Sequence, residues 1–173
     1  MSFDEVACMF EIREDDLSGE QTRELLALHL AGMRAQSPPE CVHALDLSGL
    51  TTPDVTVWTA WHQERVAGIG ALKMLSADTA EVKSMRTHPD FIRKGVGTAI
   101  LETIIETAKN RGLRRLSLET GCGAAFDPAL TLYRRYGFRS GEAFGLYTPG
   151  SFNQFLHLDL DQAADSLDQA ADS

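Results

Sequence analysis

Cysteine is scarce in this chain. Cys8, Cys41 and Cys122 are an odd number with no Cys-x-x-Cys pair, which argues against both a disulfide framework and a zinc site, so reduced thiols are expected. The histidines, His29, His43, His62, His88 and His157, are equally scattered, and no metal is expected. No apolar run approaches the roughly eighteen residues of a membrane span, and the acidic start from Met1 to Glu5 lacks the basic region of a secretory signal. A cytoplasmic protein without a membrane partner is the expectation. Positive charge is also in deficit: 16 Lys and Arg against 25 Asp and Glu give a net charge of −9. That argues against nucleic acid, whose phosphates demand a basic face, and mildly favours a cationic partner.

What is present suits one domain, since 173 residues with 43% hydrophobic content fill a single core. The domain is read as residues 1–159. Asp159, Asp161, Asp165, Asp168 and Asp172 crowd the last fifteen positions with no base among them, so the overall charge says little about the rest. Residues 160–166 recur unchanged as 167–173, with one leucine per copy and too little apolar surface to bury, so 160–173 reads as an acidic, duplicated, mobile tail. A coiled coil needs about three or four heptads, which the tail does not supply. A homodimer stays open.

The richest stretch runs from Glu81 to Thr120. Arg93, Lys94, Gly95, Val96, Gly97 and Thr98 form a basic, glycine-bearing turn that opens a helix. Val96, Ile100, Leu101, Ile104, Ile105 and Ala108 recur at the spacing of one buried helical face, and Gly112 stops it. Glycines allow close approach of a ligand, while the first helical amides are unpaired and carry the positive end of the dipole, so a pyrophosphate would fit. A plain tight loop with solvated cations is the competing reading. The Walker loop is excluded because no Gly-Lys-Ser or Gly-Lys-Thr follows the required spacer. The dinucleotide fingerprint is excluded because Ile100 stands where its third glycine belongs.

Around this turn the order of elements is mixed. A strand is expected near Phe10 to Arg13, then a helix opened by Ser18 in a capping box with Gln21 and closed by Pro38 and Pro39, with Leu26, Leu30 and Met33 buried. Val55–Trp61 and Val66–Leu75 flank the polar turn His62–Arg65 as an antiparallel hairpin. Strands at Arg115–Glu119 and Phe155–Asp159 bracket a helix around Ala129–Tyr136. The class is α+β, with a mixed, mostly antiparallel sheet of about six to seven strands and helices on both faces. Lys83 and Arg86, three residues apart on a strand, are expected on opposite sides of it as solvated or paired charge, with recognition of a substrate carboxylate by one of them as the alternative.

These pieces resemble the GNAT superfamily of N-acetyltransferases over most of the chain. The matching parts are the strand Glu81–Pro89, the loop Arg93–Thr98, and Ala129 to Phe138 with its Ala-x-x-Leu-Tyr-x-x-x-Gly-Phe pattern. Ile92 and Phe126 depart from the pattern, standing where many members carry Arg or Gln and Asn, and the second departure implies a lost polar contact to the pantetheine arm. The resemblance implies that the fourth and fifth strands splay. It further implies acetyl-CoA as cosubstrate, held by backbone of Met85, Arg86 and Thr87 and by Arg93, Lys94, Gly95, Val96, Gly97 and Thr98.

By the same resemblance, acetyl passes directly to an amino group of a small molecule or peptide. A lysine-like amine of pKa about 10.4 costs roughly 4.6 kcal/mol to deprotonate at pH 7, so a base is useful. Glu81 matches the family's base-like glutamate, with a solvated strand-end carboxylate as the alternative. Glu119 is the second carboxylate, and Tyr133 matches the usual acid that protonates the leaving thiolate, with a core aromatic as its alternative. Cys122 as a nucleophile, O-acyl transfer, and a catalytically weak acyl-CoA-binding sensor or interaction module are the remaining readings.

Overall fold

Alternation of Val55, Val57 and Thr59 with Thr56, Trp58 and Ala60 builds strand β2, Val55–His62, and the chain returns as β3, Arg65–Met74. His62 pairs directly with Arg65, and Gln63 takes a left-handed φ of 57°. The turn is therefore the two residues Gln63 and Glu64, tighter than the four-residue turn expected. A computed structural model describes residues 10–36, 47–123, 126–145, 147, 149–151 and 153–160.

The other strands are β1, Glu11–Glu14, β4, Thr79–Thr87, β5, Arg115–Gly121, β6, Arg139–Ser140, and β7, Asn153–Asp159. They form one seven-stranded sheet in the order β1-β2-β3-β4-β5-β7-β6. β4 and β5 run parallel, whereas β1 with β2, β2 with β3, β5 with β7, and β6 with β7 run antiparallel. The helices are α1, Glu20–Gln36, α2, Leu47–Leu50, α3, Val96–Asn110, and α4, Asp127–Arg135. This is the α+β architecture read from the sequence. No described helix is long and apolar enough to cross a membrane.

The chain gathers into two compact units. One comprises the described residues to Lys73 with Val82–Ile105, the other Met74–Glu81 with the described residues from Glu106 on. In the first, Leu17, Leu25, Leu26, Leu50, Val57, Val66, Ile69 and Ala71 form a buried cluster on the α1 side. The alternate residues of β3 face the other way. A side-chain carbon at Gly68 would lie 2.4 Å from Val96 Cγ1, and one at Gly70 would lie 2.5 Å from Ile100 Cγ2, so α3 rests directly on the backbone of β3. Helices thus cover both faces of this part of the sheet.

Two details of α1 differ from the expectation. Ser18 does not cap the helix, because its amide and hydroxyl both donate to Asp16 Oδ1, at 3.0 and 2.6 Å. Gln21 turns instead to the hairpin, donating to Glu64 O and accepting from the amide of Val66. The first helical bond runs from Arg23 to Gly19 O, so Gly19 opens the helix. Its buried side is Thr22, Leu25, Leu26 and His29, with Leu30 only half-buried. The side chain of Met33 and the residues Pro38 and Pro39 lie outside the described residues.

In the second unit, β5 and β7 pair along their whole length, from Arg115↔Asp159 to Gly121↔Asn153. Leu116, Leu118 and Leu156 are buried on one face. Leu160, read above as the first residue of a mobile tail, is buried and its amide donates to Arg114 O at 2.8 Å. Residues 161–173 lie outside the described residues.

Gly68→Ala forces a methyl group against Val96, with the Arg86 carbonyl oxygen also only 3.1 Å away. It should lower the urea midpoint by the equivalent of about 1–3 kcal/mol with the slope unchanged. A midpoint equal to that of the parent protein would show that α3 does not bear on β3 there.

Candidate active site

The turn before α3 bends because two of its residues are left-handed: Arg93 has φ 64° and Gly95 φ 86°. Only glycine adopts this without penalty, so Arg93 stores backbone strain. The first helical bond joins the amide of Ala99 to Gly95 O at 3.0 Å. The amides of Val96, Gly97 and Thr98 precede it and have no acceptor within the helix. A left-handed turn feeding such amides is a concave anion site. The side chains leave it open: Ile92 is 57% exposed, and Lys94 lies over the Phe91 ring, 5.7 Å from its centroid. His88 Nδ1 caps the preceding short turn, accepting from the Asp90 amide.

Met85, Arg86 and Thr87 occupy the end of β4. Pairs between β4 and β5 run Thr79↔Arg115, Ala80↔Leu116 and Glu81↔Ser117, yet β4 continues to Thr87 and β5 to Gly121. This is the splay. Between paired and unpaired parts stands Ser84, with a φ of 57° and a hydroxyl that is buried without a hydrogen-bond partner.

That residue also corrects the reading of Lys83 and Arg86. A regular strand separates them, but the left-handed Ser84 lies between them and breaks the alternation. Both charges act on one group, His29 of α1, which is 8% exposed. Burial first, then the charges of Arg86 and Lys83, push its imidazole down to about 4. Met85 points the other way, to the Gly70 side of β3.

The two carboxylates belong to the second unit and share a face of its strands. Glu81 is opposite Ser117, and Glu119 follows Ser117 by two residues. Glu81 is 4% exposed, and its Oε2 accepts a short hydrogen bond from the Tyr147 hydroxyl. Burial, the charge and hydrogen bond of Glu81, and the charge of Glu119 push the Tyr147 hydroxyl far upward, so it stays protonated as a donor. Glu119 Oε2 accepts from Asn153 Nδ2 at 3.4 Å, and Asn153 Oδ1 accepts from the Gly150 amide at 2.7 Å. Phe144 packs edge-on against Tyr147 and Phe155. The Phe126 ring covers Gly121, 2.4 Å from where a side-chain carbon would stand, so this departure from the family pattern is an apolar wall.

Tyr133 is not hydrogen-bonded to either carboxylate. It is 6% exposed, its ring meets Phe138 edge-on, and burial pushes its hydroxyl upward. Cys122 is a free, exposed thiol just beyond β5. Sequence reasoning missed Tyr147, Asn153 and Ser84. The alternation Asn153, Phe155, His157 carried a signal: laid beside Ser117 and Glu119, it puts Asn153 on the carboxylate face.

Two outcomes follow. His29 binds a proton more weakly folded than unfolded, so its share of stability is present above about pH 6.5 and is lost as the pH falls through 4. The loss should reach about 3 kcal/mol, and His29→Gln should remove that part of the decline in urea midpoints measured between pH 7 and 4. Tyr147→Phe leaves the buried Glu81 one donor short and should cost about 1–3 kcal/mol in chemical denaturation; an unchanged midpoint would show that the bond contributes nothing.

The model of the acetyltransferase (GNAT) family matches residues 13–138. The chain is 47% identical over 152 residues to the uncharacterized N-acetyltransferase YedL of Escherichia coli, covering 88% of this chain and 96% of that one. It is 48% identical over 136 residues to the uncharacterized N-acetyltransferase YsnE of Bacillus subtilis, covering 79% and 90%. Its fold is similar to that of a GNAT family acetyltransferase from Elizabethkingia anophelis with acetyl-CoA bound, at a TM-score of 0.66 and 19% identity, covering 88% and 99%. The matched stretch holds the amide turn, the splayed strands and both carboxylates, and the chain belongs to the GNAT family of acetyltransferases.

Proposed function

We propose that this acetyltransferase moves an acetyl group from acetyl-CoA directly to an amino group of a small molecule or peptide. The observation that carries the reading is the left-handed turn at Arg93 and Gly95 feeding three unpaired amides at the start of α3. That arrangement fits a pyrophosphate. Arg93, Lys94, Gly95, Val96, Gly97 and Thr98 would hold it, and the backbone of Met85, Arg86 and Thr87 would hold the pantetheine arm. Acetyl-CoA would supply an acetyl thioester there.

The remaining roles belong to the chain. Glu81 takes the proton from the acceptor ammonium, and its geometry is fixed by the Tyr147 hydroxyl, which occupies one of its oxygens. Glu119, steered by Asn153, holds the ammonium or substitutes as base. Tyr133, kept protonated by burial, supplies a proton to the leaving sulfur. Tyr147 is a positioning residue in this scheme.

The test is thiol release from acetyl-CoA against a panel of amines, amino acids and peptides, with thermal stabilisation by CoA read on the same sample. Acceptor-dependent release is expected. Stabilisation with no release across the panel would instead favour a sensor of acyl-CoA. Glu81→Gln should lower kcat/KM for a lysine-like amine about 10²–10⁴-fold while the CoA shift is kept, and Tyr133→Phe should reduce kcat by about 10²-fold or more. Full activity in both variants would remove them from the mechanism.

A further inference from the structure

Among the described residues, two buried side-chain polar atoms lack a hydrogen-bond partner, His29 Nδ1 and Ser84 Oγ. Ser84 is 8% exposed, and a hydroxyl withdrawn from water without an acceptor is costly, a cost that alanine would avoid. The same residue carries a second cost, its φ of 57° within β4, an angle that glycine adopts freely and serine does not. Backbone strain and an unused donor thus coincide on one residue, a combination found where a site is held ready for a ligand.

What the hydroxyl would meet follows from its place on the strand. Along β4, the register with β5 ends at Glu81, Ser84 comes three residues later, and Met85, Arg86 and Thr87 follow. In the reading above, those three hold the pantetheine arm and Glu81 takes the proton of the amine. The thioester lies between arm and amine in the reacting pair, as Ser84 lies along the strand between the residues that serve them. A carbonyl oxygen can only accept, and a hydroxyl bonded to no described residue can donate to it without first breaking another bond.

We propose that the Ser84 side-chain hydroxyl is a catalytic donor to the thioester carbonyl oxygen of acetyl-CoA. As the amine nitrogen bonds to the carbonyl carbon, negative charge gathers on that oxygen. The charge is returned as the carbon–sulfur bond breaks and its electron pair leaves with sulfur, which Tyr133 protonates. The Ser84 hydroxyl keeps its own proton throughout. Its bond to the oxygen strengthens as the charge develops, and away from water that bond is stronger than an exposed one. The proposal rests on the transferase reading, and CoA, which carries the arm but no acetyl carbonyl, separates binding of the one from binding of the other.

The experiment uses the full chain with CoA and with acetyl-CoA labelled with carbon-13 at the acetyl carbonyl. In difference infrared spectra taken without an acceptor, the labelled carbonyl stretch should lie at lower frequency in the parent protein than in Ser84→Ala, because a hydrogen bond weakens the C=O bond. Ser84→Ala should lower kcat by about 10²-fold, while its affinity for CoA by calorimetry stays within about twofold of the parent. Its urea midpoint should not fall, since the substitution removes an unsatisfied hydroxyl. Ser84→Gly, whose backbone adopts the same angle freely, should match the alanine variant in kcat and in the carbonyl band, which sets loss of the donor apart from loss of the strand's shape. A band in the same place in parent and variants, or kcat within about twofold of the parent in both, would overturn the proposal. So would a loss of CoA affinity with kcat kept, which assigns the hydroxyl to the arm, or a lowered urea midpoint in Ser84→Ala, which assigns it to the chain. A band that depends on Ser84 with no thiol release from any amine would sink the transferase reading and leave the hydrogen bond to the carbonyl standing.

Discussion

Strand β4 depends on a single left-handed residue. Ser84 carries a φ of 57° in the middle of a strand, a conformation that costs an ordinary residue roughly 1–2 kcal/mol. It divides β4 into a portion that pairs with β5, ending at Glu81, and a portion beyond that pairing which bears Met85, Arg86 and Thr87. The same kink reverses which way the side chains face, so Lys83 and Arg86 both act on His29 while Met85 turns toward Gly70 and α3. This dihedral lies three residues past the last pair with β5, between two charges that act on the same imidazole.

Around this strand, charge is sorted. The carboxylates Glu81 and Glu119 sit with two donors, Tyr147 and Asn153, supplied by the segment leading into β7 and by β7 itself. Burying a carboxylate is expensive unless it is bonded, and the hydroxyl of Tyr147 provides such a bond. The cations Lys83 and Arg86 sit with a buried imidazole that burial keeps neutral.

Much of this was legible in the chain. The spacing of Val96, Ile100, Leu101, Ile104, Ile105 and Ala108 gave α3, and all six are buried; the alternation of Val55 to Ala60 gave β2, and the glycine pattern gave the turn before α3. These are local signals, written in residues that are neighbours on one element. Ser84 was not legible because a serine at a positive φ has no compositional mark. Tyr147 was missed because its partner Glu81 is 66 residues away, and only the register of β5 with β7 brings their segments to one face. The helix start at Ser18 was misread because a capping pattern competes with other local acceptors, and Asp16 won.

The buried pair Ser117 and His157 ties the chain after β6 to the sheet. The His157 ring sits between the Ser117 hydroxyl at 2.7 Å and the Glu142 carbonyl oxygen at 2.8 Å. A carbonyl can only accept, so Nε2 donates to it, and with one proton on the ring Nδ1 receives the serine proton. What resembles a hydrolase dyad in composition is thus fully engaged in fastening the segment after β6 to the sheet. With that serine 3% exposed and its hydroxyl held by the ring, replacing either member of the pair loosens the junction of β5 with β7 where the segment after β6 is tied down.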